Sequence, residues 1–79
     1  HASTFDIDER VVRAVPRETC LARCVVPVSE DGDVLIVAVP RTDPDGLRRA
    51  LAMELGRPVE VVIAAEAEIE LVLRRMFDV

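Results

Sequence analysis

The residues of this chain that could do chemistry are few and poorly grouped. Cys20 and Cys24 are the only cysteines, and His1 is the only histidine. The C-x3-C spacing is neither the C-x-x-C of thiol redox motifs nor half of a four-ligand zinc site. On one helix the two would be i and i+4 neighbours, sharing a face but too constrained for a comfortable disulfide. They read as two small apolar side chains in or near the core. No Ser-His or Cys-His pair is available, and the chain has no G-x-x-x-x-G-K-[ST], G-x-G-x-x-G or H-E-x-x-H motif. Glu66, Glu68 and Glu70 are spaced by two, so on a helix they spread around it and do not converge on a bond. Glu30, Asp31 and Asp33 lack the rest of a twelve-residue calcium loop with its terminal bidentate Glu, and a turn explains them. The expectation is a chain with no catalytic residues, no metal site and no cofactor, hence not an enzyme.

One arrangement stands apart. "PRTDPDGLRR" puts Arg41, Arg48 and Arg49 near a helix N-terminus, where backbone N–H groups and the dipole favour an anion such as a phosphate. Asp43 and Asp45 compete for the same place, so helix capping is the favoured reading and the three arginines remain a candidate anion site.

Composition narrows the field further. Seventy-nine residues make one small domain, and at this size folding buries only about 60% of the surface exposed by the unfolded chain. Half the chain is apolar, yet it has two Phe and no Trp or Tyr, so the core must be aliphatic. A net charge of −5 argues against binding a phosphate backbone, which needs cations to displace counterions. All ten basic residues are Arg, which reads as codon bias in a GC-rich genome. No apolar run approaches the ~20 residues that span a bilayer, and no signal peptide precedes the domain. The expected setting is the cytoplasm, without nucleic acid and without direct membrane insertion. Residues 1–4 read as a tag remnant or linker, and 5–79 as a single domain.

The elements that must position these residues follow from local signals. Asp8 can cap a short helix running to Ala14, with Val11 and Val12 as its apolar positions. Pro16 suits the first position of a second helix, "PRETCLARC", with Leu21 as its anchor. "VVPVSEDGDVLIVAVP" reads as a hairpin turning at Asp31-Gly32. Pro27 confines the first of its strands to an edge, whereas Val34 to Val39 is apolar throughout and should be covered on both faces. Asp43 as N-cap, Pro44 at N1 and Gly56 past the end bracket a helix whose Leu47, Ala50, Leu51 and Leu55 form one stripe. Val59 to Ala64 is a third strand. Ile69, Val72, Leu73, Met76 and Phe77 mark a final amphipathic helix, acidic at its start and basic at its end, with a Glu70–Arg74 pair. The order α-α-β-β-α-β-α predicts an α/β (α+β) sandwich, a small three-stranded sheet with helices packed on it.

Taken together, "VPRETCLARCVVPV", "GDVLIVAVP" and "ELGRPVEVVIAAEAEIELVLRRMF" resemble the N-terminal domain of type II secretion and type IV pilus assembly ATPases, the GspE/PilB group, and in particular the C-terminal half of the MshEN domain. The resemblance covers Phe5 to Phe77. It implies a non-catalytic protein-interaction and regulatory module that docks its parent protein to a secretion or pilus platform component, or to other domains of a parent chain. The alternatives it implies are part of a cyclic di-GMP sensor, with Arg41, Arg48 and Arg49 helping to hold the nucleotide, or an accessory domain of another enzyme. The chain departs from the family pattern at Arg41-Thr42, where D-P usually stands. It departs again at Ala65, which replaces the usual N-cap Ser and should weaken that helix start by about 1 kcal/mol. The family's tandem R-L-G-type ligand motifs lie in the other half of the domain, so no ligand residue is carried over.

Overall fold

A computed structural model describes residues 9–77. Residues 1–8, with the expected Asp8 cap, and residues 78–79 lie outside that range. The chain enters through a 3-10 turn, Glu9–Val11, and then forms α1 (Arg17–Arg23), β1 (Val26–Asp31), β2 (Val34–Val39), α2 (Pro44–Leu55), β3 (Val59–Ile63) and α3 (Glu66–Phe77). The strands lie in the order β1-β2-β3, with β1 antiparallel and β3 parallel to β2. This is the expected α+β architecture. The first element is shorter than a helix to Ala14, because Pro16 follows too soon for α-helical hydrogen bonds to propagate.

The hairpin is closed by two residues, since Asp31 pairs with Val34. Positive φ is confined to Gly32, at +63°, while Asp31 stays in the strand. Positive φ at the first central position is the mark of a type II′ turn, whose twist suits antiparallel strands. Arg57 ties the hairpin to the α2–β3 connection: Nε donates to Asp33 O at 3.0 Å and Nη1 meets Glu30 Oε2 at 3.0 Å. Pro27 does lie on an edge strand, opposite Val37, and the register slips between Pro27 and Ser29 in a bulge.

β2 is the centre of the molecule. Leu35, Val37 and Val39 share one face and are fully buried; Ala38 is fully buried on the other face, where Val34 and Ile36 are only half-buried, so the expected cover on both faces is complete on one and partial on the other. A parallel neighbour demands a crossover, and α2 supplies it. Asp43 caps α2 by accepting from the Gly46 N–H at 3.2 Å, Pro44 follows, and Gly56 at φ +68° ends the helix with its N–H on Ala52 O. Leu51 is fully buried, a placement that favours the fold by roughly 1.5–3 kcal/mol over exposure. α3 buries Ile69 and Leu73, while Val72, Met76 and Phe77 pack around the core. The Arg17 guanidinium stands 6.0 Å from the Phe77 ring centroid, tying α1 to α3.

Three further local expectations fail. Leu21 does not anchor α1: it is 40% exposed, and Thr19 and Cys20 are the buried residues. A seven-residue helix has only two turns, and the turn that puts Cys20 inward rotates Leu21 away by about 100°. Thr19 also fixes that rotation, because its hydroxyl donates to Glu54 of α2, which meets Arg23 at 3.5 Å as well. Pro16 sits one place earlier than expected, at the N-cap with extended ψ of 144°. At the other end of the fold, the expected Glu70–Arg74 ion pair does not form, although both side chains line the same cleft.

Candidate functional site

The sequence points first to the start of α2. The Gly46 N–H there is already taken by Asp43. Asp43 Oδ1 occupies the cap, and Asp45 takes both neighbouring guanidinium groups: Arg48 Nη2 at 2.8 Å and Arg49 Nη2 at 3.0 Å. The Arg48 hydrogen bond, helped by the charge of Arg49, holds the Asp45 carboxyl below its usual range. Arg48 and Arg49 are thus brought together on one carboxylate. Arg41 is placed elsewhere, in a cleft of about 410 Å³ beyond the ends of β2 and β3, lined by Pro40, Thr42, Ile63, Ala64 and the carboxylates Glu66 and Glu68. An anion approaching Arg48 and Arg49 meets two carboxylates already in position, and one approaching Arg41 meets two more.

Neither cysteine is an activated nucleophile. Burial pushes the Cys20 thiol up to about 11, and its Sγ donates weakly to Val15 O at 3.9 Å. Cys24 is also raised, first by burial and then by the charges of Glu66 and Glu70. A thiol is nucleophilic only as thiolate, so both are held in the unreactive form at neutral pH. Both are free of disulfide linkage, as the spacing argument anticipates.

Surface geometry points in a different direction. The two sheet edges differ in their readiness to accept a strand. β1 carries Pro27, which lacks a donor, and a bulge, and the 3-10 turn packs against it. Each of these blunts an edge. Among the described residues β3 has no strand beyond it, and it exposes Val62 at 44% and Ile63 at 53%. These two residues look unremarkable in "VEVVI", where nothing in the pattern says that the strand will close the sheet. Only the strand order exposes them. Among the described residues no helix is long and apolar enough to cross a membrane.

Comparison with known proteins bears on the family and the fold. The family model for the MshEN domain matches residues 1–79, the whole chain. The type IV pilus assembly ATPase PilB of Myxococcus xanthus (strain DK1622) is 32% identical over 75 residues, which is 92% of this chain and 13% of PilB. The solved structure of MshE with cdg superposes with a TM-score of 0.80 at 25% identity, covering 98% of this chain and 56% of that one. The chain therefore spans about an eighth of the length of the PilB it matches and little over half of the solved MshE chain.

Proposed function

Because this chain belongs to the MshEN domain family, we propose that it is a non-catalytic docking and regulatory module of a secretion or pilus assembly ATPase, carrying no chemistry of its own. The observation that carries the reading is the match to the MshEN domain over the full length, joined to a surface whose open feature is a sheet edge and not a reactive cleft. The contact surface is the free edge of β3, where a partner strand would find unpaired backbone groups beside Val62 and Ile63. The partner is a component of the membrane platform or another domain of the same ATPase.

The test is to place Val62→Arg and Ile63→Arg, singly, in the parent ATPase and to capture its partners from the native host. Both positions are exposed, so the fold should lose less than about 0.5 kcal/mol, while recovery of the platform component or the interdomain contact should fall. Unchanged recovery with both variants would remove β3 as the docking edge.

A second reading is favoured by one observation, the solution of MshE with cdg, that is, with cyclic di-GMP. Here the chain is one part of a nucleotide-responsive domain, and Arg41, Arg48 and Arg49 are its candidate anion contacts. Calorimetric titration of cyclic di-GMP into this chain and into the parent separates the two cases. Binding by the parent alone assigns the nucleotide to residues beyond this chain. Parent affinity unaltered by Arg48→Ala and Arg49→Ala would end the role given to those side chains.

A further inference from the structure

Cys24 meets α3 beside two carboxylates. Cys24 closes α1 in the left-handed conformation, φ 57° and ψ 56°, and is the only non-glycine residue with positive φ among the described residues. Its N–H is fixed on Cys20 O, and its half-buried side chain packs at the margin of the core. Facing it are Glu66 and Glu70, one turn apart on α3. The thiol sulfur and one oxygen of each carboxylate all lie within 4.8 Å of one another. Neither carboxylate has an ion-pair or hydrogen-bond partner among the described residues. Arg74 lines the same cleft, of about 480 Å³, without pairing to Glu70, and Leu21 and Leu73 supply apolar walls.

We propose that Cys24, Glu66 and Glu70 form a three-ligand site for a thiophilic divalent transition ion, with Zn²⁺ the best fit. Without a cation the two carboxylates crowd each other beside the neutral thiol, and a dication between the three replaces that repulsion with three bonds. The donor set selects the ion. Calcium and magnesium require six or more oxygens, whereas one thiolate with two carboxylates suits a borderline ion that accepts sulfur at about 2.3 Å and oxygen at about 2.0–2.2 Å. The i,i+4 spacing on α3 sets the carboxylates side by side, and the rigid end of α1 brings the sulfur to them. The open side of the cleft leaves the fourth tetrahedral position to water. Binding breaks the S–H bond of Cys24, forms the sulfur–metal bond and releases the proton to solvent. The bound site then carries one net negative charge, with Arg74 close by to offset it.

The experiment is anaerobic titration of the 79-residue chain with Co²⁺, followed by competition with Zn²⁺. A saturable 1:1 signal is expected, with sulfur-to-cobalt charge-transfer absorption in the near ultraviolet that Zn²⁺ abolishes. Cys24→Ser should remove the absorption while circular dichroism stays native. Glu66→Gln and Glu70→Gln should each weaken binding by at least the roughly 10–100-fold that follows loss of even an outer-shell partner. No charge-transfer band at saturating Co²⁺, a band that survives Cys24→Ser, or affinity indifferent to both glutamate changes would overturn the site. A Cys20→Ala control that retains the band excludes the buried thiol, and one that loses it with the fold intact would also overturn the assignment.

Discussion

Raising the pH from about 7 to 11 should destabilise this chain through its cysteines, and the composition makes the experiment unusually clean. The sequence contains no Lys and no Tyr, so in the alkaline range the only side chains that titrate are the two thiols; the α-amino group is finished by about pH 9. Burial of Cys20 in the aliphatic core raises its thiol from the ordinary 9.0 to about 11, which means that the fold prefers the neutral form. Below the unfolded value both states keep the proton, and stability does not depend on this group. Between about 9 and 11 the unfolded chain gives up its proton while the folded chain holds it, so the unfolded state binds fewer protons and stability falls as pH rises. Two units correspond to a ceiling of about 3 kcal/mol, or a midpoint lowered by on the order of 10–20 °C for a domain of this size. Cys24 is shifted in the same direction and adds to the slope. Urea denaturation followed by circular dichroism at a series of pH values measures the loss directly. Cys20→Ala should start from lower stability but lose less of it with alkali, and replacing both cysteines should make the profile flat. A flat wild-type profile, or one equally steep after Cys20→Ala, would show that the buried thiol is not what the alkaline limit depends on.

The start of α2 offers a double-mutant cycle. A Cβ added at Gly46 would collide with Asp43 Oδ2 and come within 2.7 Å of its Cγ, so Gly46→Ala should gain about 1 kcal/mol of helix propensity and lose about as much capping, for little net change. After Asp43→Ala, itself costing about 1 kcal/mol, the same change at Gly46 should stabilise by nearly the full propensity term; strict additivity in urea denaturation would refute the linkage. Leu51→Ala should destabilise by about 2–5 kcal/mol, because Leu51 is the one fully buried residue of the crossover helix; a loss below 1 kcal/mol in the same assay would mean that α2 is not packed as described.

The sequence is most legible where the decisive interaction is local. Asp43, Pro44 and Gly56 bracket α2 within one chain segment, and the structure places its helix between them. Pro27 puts β1 on an edge, and the unbroken apolar run of β2 puts it in the centre, because both depend on what one strand can offer its neighbours. α1 is less legible for the converse reason. Two turns cannot define a face by periodicity, so the side it buries is chosen by Thr19 reaching Glu54 in another helix. Nothing marks Cys24 for the left-handed conformation, since Cys has no special claim to it. The candidate sites follow the same division. Arg48 and Arg49 were legible as a pair near a helix start, but their shared partner Asp45 and the separate cleft of Arg41 are matters of side-chain placement. The meeting of Cys24 with Glu66 and Glu70 joins segments on opposite sides of the sheet sequence, and no spacing rule reaches that far.

The mixed pairing of β2 has a consequence for how the chain assembles as it is made. Its antiparallel partner is reached through a two-residue turn, whereas Leu35 must wait for Val59 and the whole of α2 before its parallel partner exists. A nascent chain released only as far as Val39 can close the hairpin and shelter one side of β2, but the other side stays open until β3 emerges. The molecule is therefore most vulnerable to wrong strand pairing in the interval when α2 is being synthesised, and the net charge of −5 on the chain works to keep like chains apart.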